Sequence, residues 1–69
     1  MRLITLRNGA GINPEKVIAI VPKKTGRIVM SYWVDVVLEN ETFSIDCEDW
    51  EDAQWLAEDV IRTVNIALL

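Results

Sequence analysis

Residues 34–61 read V-D-V-V-L-E-N-E-T-F-S-I-D-C-E-D-W-E-D-A-Q-W-L-A-E-D-V-I, and their hydrophobic period changes in the middle. Up to Cys47, apolar and polar residues roughly alternate, which is typical of strands with one buried face. From Glu48 onward, apolar residues recur at helical spacing, which is typical of a helix that buries one stripe. The stretch therefore predicts a β-hairpin followed directly by an amphipathic helix.

The hairpin register follows from the apolar positions on its two strands. A two-residue turn at Asn40 and Glu41 makes every inward-facing pair apolar on both sides, whereas a slip of one residue turns these side chains to the other face. Glu is poor at the second turn position, so a slightly longer loop is the alternative. The predicted pairs are Leu38 with Phe43, Val36 with Ile45, and Val34 with Cys47.

The helix is predicted from about Glu48 to Val64. Acidic residues between Asp46 and Asp49 suit its start, because they cap free N–H groups and face the positive end of the helix dipole. Trp55 lies on the opposite side of the helix from the predicted core stripe. That stripe contains Trp50, Ala53, Leu56, Ala57, Val60, Ile61, Val64, Ala67 and Leu68.

The first half of the chain contains further strand patterns. Asn13 followed by Pro14 predicts one short helical turn, and the uniformly apolar run V-I-A-I-V suits a strand covered on both faces. We predict strands over residues 1–7, 17–21, 28–38 and 43–47, with loops over residues 8–11 and 22–26. The order of elements predicts one α+β domain over residues 1–69. It has a small antiparallel sheet of three to four strands with one C-terminal helix packed on one face.

Composition excludes several classes of function. Apolar residues make up 51% of the 69, which excludes a disordered chain, and no apolar run is long enough to span a membrane. No leader is predicted, and the single cysteine, Cys47, rules out an internal disulfide, which favours a reducing cytoplasm.

The chain contains no histidine and no glycine-rich phosphate loop. Histidine-based nucleophilic catalysis and most zinc sites are therefore excluded. The carboxylates of the helix have no calcium-loop spacing, and Cys47 is predicted to be a small buried apolar residue. We accordingly predict a protein that is not an enzyme and has no catalytic residues, metal site or cofactor.

Several short segments together resemble the small bacterial proteins of the FlbD/SwrD type, which are associated with flagellar motility. They are L-R-N-G at residues 6–9, I-N-P-E-K-V-I-A-I at residues 12–20, a hairpin with Asn40 at its tip, and an E-D-x-x-x-A/V helix from Glu51. The chain differs from that type between residues 21 and 33, at Glu41, where the family favours Gly, and in its three tryptophans. The resemblance implies an association with motility and carries no catalytic residues.

Charge is divided unevenly along the chain. Residues 1–30 carry a net charge of +5 and residues 31–69 a net charge of −9, which together give −4. The basic half offers candidate contacts for a polyanion, but no aromatic residue lies between these side chains and the only long helix is acidic. The candidate contacts are Arg2, Arg7, Lys16, Lys23, Lys24 and Arg27.

Apolar residues outside the predicted core favour self-association. One helix covers only one face of a sheet, and a monomer would expose a larger apolar patch than is usual. We predict a homo-oligomer, most simply a dimer. The candidate interface residues are Val29, Trp33, Val37, Trp55, Ile66 and Leu69.

The sequence thus predicts a small non-enzymatic interaction protein of the bacterial cytoplasm that associates with itself and with an unidentified protein partner. The alternative is a phage-borne or host regulator that binds nucleic acid through its basic N-terminal half.

Overall fold

A computed structural model describes residues 3–69 and shows a three-stranded antiparallel sheet with one C-terminal helix packed against it. The sheet order is β3-β4-β5, and β1 and β2 form a separate two-stranded antiparallel ladder. The predicted α+β class is confirmed. The elements are β1 (Ile4–Thr5), β2 (Gly11–Ile12), a 3₁₀ turn (Pro14–Lys16), β3 (Val17–Thr25), β4 (Ser31–Leu38), β5 (Thr42–Cys47) and α1 (Trp50–Ala67).

The 3₁₀ turn before β3 forms where Asn13 and Pro14 predict it. The side chain of Asn13 accepts a hydrogen bond from the N–H of Glu15 at 3.0 Å, and Pro14 occupies the first position of the turn. Proline suits that position because its missing N–H would have no partner there. The predicted N-terminal strand is shorter than expected, and its first two residues lie outside the described range.

β3 extends through the segment P-K-K-T, which the sequence predicted to be loop. Pro22 pairs with Val34, Lys23 with Trp33, Lys24 with Tyr32 and Thr25 with Ser31. The N–H of Leu38 donates a hydrogen bond to the carbonyl of Glu41. Because backbone groups alternate in direction along a strand, residues at alternate positions before Leu38, including Val34, also direct their N–H and C=O groups toward β5. Pro22 lies opposite Val34, so its backbone faces the free edge of the sheet. Proline has no N–H, but no hydrogen bond between strands is lost at this position.

The connection between β3 and β4 also differs from the prediction. Residues 28–30 were predicted to begin the strand over residues 28–38, and Val29 was a candidate interface residue on it. They instead form an exposed loop in which Ile28 is 98% and Val29 79% accessible. Gly26 makes the turn with φ +129, and a Cβ there would lie 2.1 Å from the carbonyl oxygen of Val29. Only glycine fits this position without displacing the backbone.

The β4–β5 hairpin is shifted by two residues from the predicted register. The turn lies at Glu39 and Asn40 rather than at Asn40 and Glu41, and the predicted inward faces are kept because a two-residue shift preserves alternation. The observed inward pairs are Tyr32 with Cys47, Val34 with Ile45, and Val36 with Phe43.

The core lies between the sheet and α1, and the β1–β2 ladder closes one side. Ala53 and Ala57 are buried, and their small side chains allow the helix to approach the strands closely. Ile61 and Leu68, predicted to lie in the core stripe, are exposed. The buried apolar residues are Ile4, Leu6, Ile12, Val34, Val36, Leu38, Ile45, Ala53, Leu56, Ala57, Val60 and Val64.

The helix begins at Trp50, close to the predicted start, and ends at Ala67, three residues beyond the predicted end. Asp49 is the N-cap, and its carboxylate accepts a hydrogen bond from the N–H of Asp52 at 2.7 Å. The carboxylate of Asp52 accepts one from the N–H of Glu48 at 3.2 Å. These two bonds fix the turn that carries the chain from β5 onto the sheet.

Candidate functional site: the outer face of the sheet

The outer face is the side of the three-stranded sheet opposite the helix. Trp33, Asp35 and Val37 of β4 form its central row, because they alternate with the buried Val34 and Val36. The strand register fixes their neighbours. Beside Val37 lie Ala19 and Thr42; beside Asp35 lie Val21 and Ser44; beside Trp33 lie Lys23 and Asp46.

Asp35 is the nearly buried acid at the centre of the outer face. Its carboxylate accepts a hydrogen bond from the hydroxyl of Ser44 at 2.7 Å and pairs with the ammonium of Lys23 at 2.9 Å. Burial disfavours the charged form of Asp35, but the bonds from Ser44 and Lys23 outweigh it and hold the pKa of Asp35 below its usual value. The three side chains thus form one bridge across three strands.

This bridge was not predicted from the sequence. The signal available was an aspartate within the strand V-D-V-V. Its partner Lys23 was predicted to lie in a loop, so the pair could not be anticipated. The structure brings them together because β3 continues past Pro22.

The six candidate interface residues do not form one surface. Trp33 and Val37 lie half-buried on the outer face, whereas Val29 lies in the β3–β4 loop rather than in a strand. Trp55, Ile66 and Leu69 are exposed residues of the helix and the chain end. Their exposure agrees with the predicted absence of packing, and their role in an interface stays a prediction.

Trp55 lies beside a shallow groove between β1 and α1, with a volume of about 220 Å³. Leu6 and Arg7 line one wall, and Trp55 and Asp59 line the other. The guanidinium of Arg7 makes two hydrogen bonds to the carboxylate of Asp52, at 2.8 and 3.1 Å. This ion pair raises the pKa of Arg7 and lowers the pKa of Asp52.

Most of the candidate polyanion contacts are engaged within the chain. Arg7 is paired with Asp52, Lys16 with Glu39 at 3.5 Å, and Lys23 with Asp35. The ammonium of Lys24 lies 4.5 Å above the ring of Trp50. Arg27 is exposed in the β3–β4 loop, and Arg2 lies outside the described residues. Nucleic-acid binding stays a prediction, to be tested by gel shift at low salt.

Cys47 is half-buried and lies opposite Tyr32, not opposite Val34 as predicted. Burial raises the pKa of its thiol, which keeps the thiol protonated at neutral pH. Within residues 3–69, no group of three or more Cys, Asp and Glu side chains is arranged to hold a metal ion.

Over the same range, no helix has the length and apolar character needed to cross a bilayer. Comparisons with protein-family models, with curated proteins and with solved structures give no match for this chain. The resemblance to the FlbD/SwrD type therefore stays a prediction.

Proposed function

We propose that this protein is a small interaction protein that works as a homodimer, joined through the outer faces of two sheets. The observation that supports this most is the one-sided packing of the sheet. The helix covers the face with Val34 and Val36, while Trp33, Val37 and Val21 lie on the face without a covering element in the described chain. Large aromatic side chains in such positions are favoured in interfaces.

The Lys23–Asp35–Ser44 bridge gives this face a means of selecting its partner. An apolar surface alone allows many orientations, whereas a polar group that must stay satisfied allows few. Two copies that meet around a two-fold axis present the same bridge to each other. In this proposal Trp33 and Val37 supply apolar contact, and the bridge fixes the orientation.

The groove beside Trp55 is assigned to a different partner in this proposal. Trp55 belongs to the helix, which packs on the opposite side of the sheet from Trp33, so one flat interface cannot contain both tryptophans. A dimer joined through the outer faces would leave both copies of the Trp55 groove exposed. A second depression next to Trp55 is lined by the acids Asp49, Glu51, Asp52 and Glu58.

Sedimentation at micromolar concentration and moderate salt tests the dimer. The expected result is a species of twice the 7.9 kDa chain mass. Trp33→Ala should shift the equilibrium toward monomer by about tenfold or more, which is the effect of losing an aromatic anchor. Trp55→Ala is the matched control, because it removes the same side chain from the other side of the molecule and should leave the dimer intact.

Two results would overturn this proposal. One is a single species near 7.9 kDa for the unaltered chain. The other is dissociation by Trp55→Ala with Trp33→Ala unaffected, which would move the interface from the sheet to the helix.

The cellular role proposed for this dimer is in motility, and its support is the resemblance of residues 6–20 to the FlbD/SwrD type. The most direct test is the neighbourhood of the coding sequence. Flagellar neighbours would support this role, and phage neighbours would support a host-directed role instead.

A further inference from the structure

The loop between β3 and β4 carries the most exposed apolar segment between two strands. We call residues 28–30, Ile-Val-Met, the apolar tip. Ile28 is almost fully accessible, Val29 is highly accessible, and Met30 is 41% accessible. Three consecutive exposed apolar side chains at the end of a hairpin are unfavourable in water, and such a feature marks a site of interaction.

The charges within residues 17–34 of the β3–β4 hairpin have one sign. These residues contain Lys23, Lys24 and Arg27 and no carboxylate. Lys23 is paired with Asp35 and the ammonium of Lys24 lies above the ring of Trp50, so Arg27 is the charge within the loop. Lys24 and Cys47 both lie opposite Tyr32, which places the acids that follow β5, Glu48 and Asp49, at the base of the tip rather than in the loop.

The backbone holds the tip in a defined turn. Gly26 adopts φ +129, and its missing Cβ leaves room for the carbonyl of Val29 and the Cα of Met30. This close approach folds residues 26–30 into a compact end beyond the last β3–β4 pair, Thr25 with Ser31. The tip therefore extends past the end of the sheet.

We propose that the apolar tip is a peripheral anchor for an anionic lipid surface. The tip exposes three consecutive apolar side chains, and a fluid acyl layer receives them without a matching pocket. Arg27 would then lie at the level of the lipid phosphates, where a basic side chain is attracted to anionic headgroups. The combination of a small apolar insertion with nearby cations is typical of weak, reversible membrane binding.

This anchor is independent of the proposed dimer, because the tip lies in a loop and the dimer surface lies on the outer face of the sheet. The acidic helix makes the orientation specific. A chain with a net charge of −4 is repelled by an anionic surface unless the tip, with Arg27, approaches first. Screening over about 8 Å at physiological salt weakens the repulsion from more distant carboxylates.

Vesicle cosedimentation with the full chain tests the anchor. Vesicles of phosphatidylcholine alone are compared with vesicles containing one part phosphatidylglycerol to two parts phosphatidylcholine. We expect binding to the anionic vesicles only, decreasing at high salt. Replacing both Ile28 and Val29 by serine should weaken binding about tenfold or more, and Arg27→Glu should weaken it at least severalfold.

Ile61→Ser is the matched control, because it removes an exposed apolar side chain of the helix, outside the tip, and should leave vesicle binding unchanged. Circular dichroism and sedimentation of each variant accompany the binding measurement. The proposal is overturned if the unaltered chain does not bind anionic vesicles, or if the tip variants bind as well as the unaltered chain. It is also overturned if the tip variants dissociate the dimer, since the tip would then be a protein contact.

Discussion

The two faces of the sheet are built from alternate residues of the same strands, yet they are stabilised by different interactions. On the covered face, Val34 and Val36 are 0% accessible and pack beneath the helix with Ile45. On the outer face, the nearly buried side chain is Asp35, enclosed by neighbouring side chains and bonded to Lys23 and Ser44. Apolar packing stabilises the first face and a polar bridge orders the second.

This difference shows that alternation along a strand identifies two faces but does not say what covers each of them. The run V-I-A-I-V has apolar side chains for both faces, and the helix reaches one. Ile18 and Val21 are exposed as a result. The covered face is complete within one chain, whereas no element of residues 3–69 covers the outer face.

The largest expected effect comes from opening the covered face. Leu56 is buried between the helix and the strands, and Leu56→Ala removes side-chain volume that the surrounding core cannot fully replace. We expect a loss of about 2–4 kcal/mol in the free energy of unfolding. Chemical denaturation followed by circular dichroism measures it.

Ile61→Ala provides the comparison, because Ile61 lies on the same helix and is exposed. Its effect should stay within about 0.5 kcal/mol. If both changes have equal effects, the assignment of the covered face to Leu56 is wrong.

A smaller effect is expected from breaking the bridge on the outer face. Asp35→Ala leaves the hydroxyl of Ser44 and the ammonium of Lys23 without their acceptor, although Lys23 can still reach water. We expect a loss of about 1–2 kcal/mol. Asp46→Ala, an exposed acid on the same face, should change stability by less than about 0.5 kcal/mol. An equal loss in both variants would show that the bridge contributes nothing.

Acid should destabilise the fold in part through Asp35. The pKa of Asp35 is lowered in the folded chain, so its charged form stabilises the fold above roughly pH 4. This stabilisation is lost as pH falls through the lowered value. The urea concentration at which half of the protein is unfolded should be measured at pH 7, 4 and 3. As the pH is lowered, this midpoint should decrease less for Asp35→Asn than for the unaltered chain. Parallel curves would contradict the predicted role of this carboxylate.

The smallest effect on stability is expected at Trp55. The side chain is 57% accessible, so Trp55→Ala should change the free energy of unfolding by about 0.5 kcal/mol or less. Circular dichroism should show an unchanged helix. Unfolding of this variant would place Trp55 in the core and remove it as a candidate binding residue.

The helix and the two faces of β4 could be predicted because their signals are local. The period of Leu56, Val60 and Val64 fixes the buried stripe, and the acid at Asp49 fixes its start. The register of the hairpin could not be predicted, because a shift of two residues keeps every apolar side chain on its face. Asn tolerates positive φ in turns, but this was no guide to the position of Asn40, since no non-glycine residue of the described range has positive φ.

The polar bridge and the apolar tip could not be predicted for a related reason. Both depend on where β3 ends, and P-K-K-T-G has the composition of a loop. Pro22 is tolerated because β3 is an edge strand, which is a property of the whole sheet and not of the segment. If β3 ended at Val21, as predicted, Lys23 would have no partner in the sheet register and Ile28 would be assigned to the next strand.

The same proline also bears on aggregation. V-I-A-I-V is uncharged and strongly β-forming, and such segments on an open edge promote cross-β growth. Pro22 follows this run directly and faces the free edge, where an added strand would require an N–H that proline lacks. Lys23 and Lys24 come next and add like charges that repel a second copy. Pro22→Ala should therefore form thioflavin-positive aggregates faster than the unaltered chain, even if its native fold is equally stable.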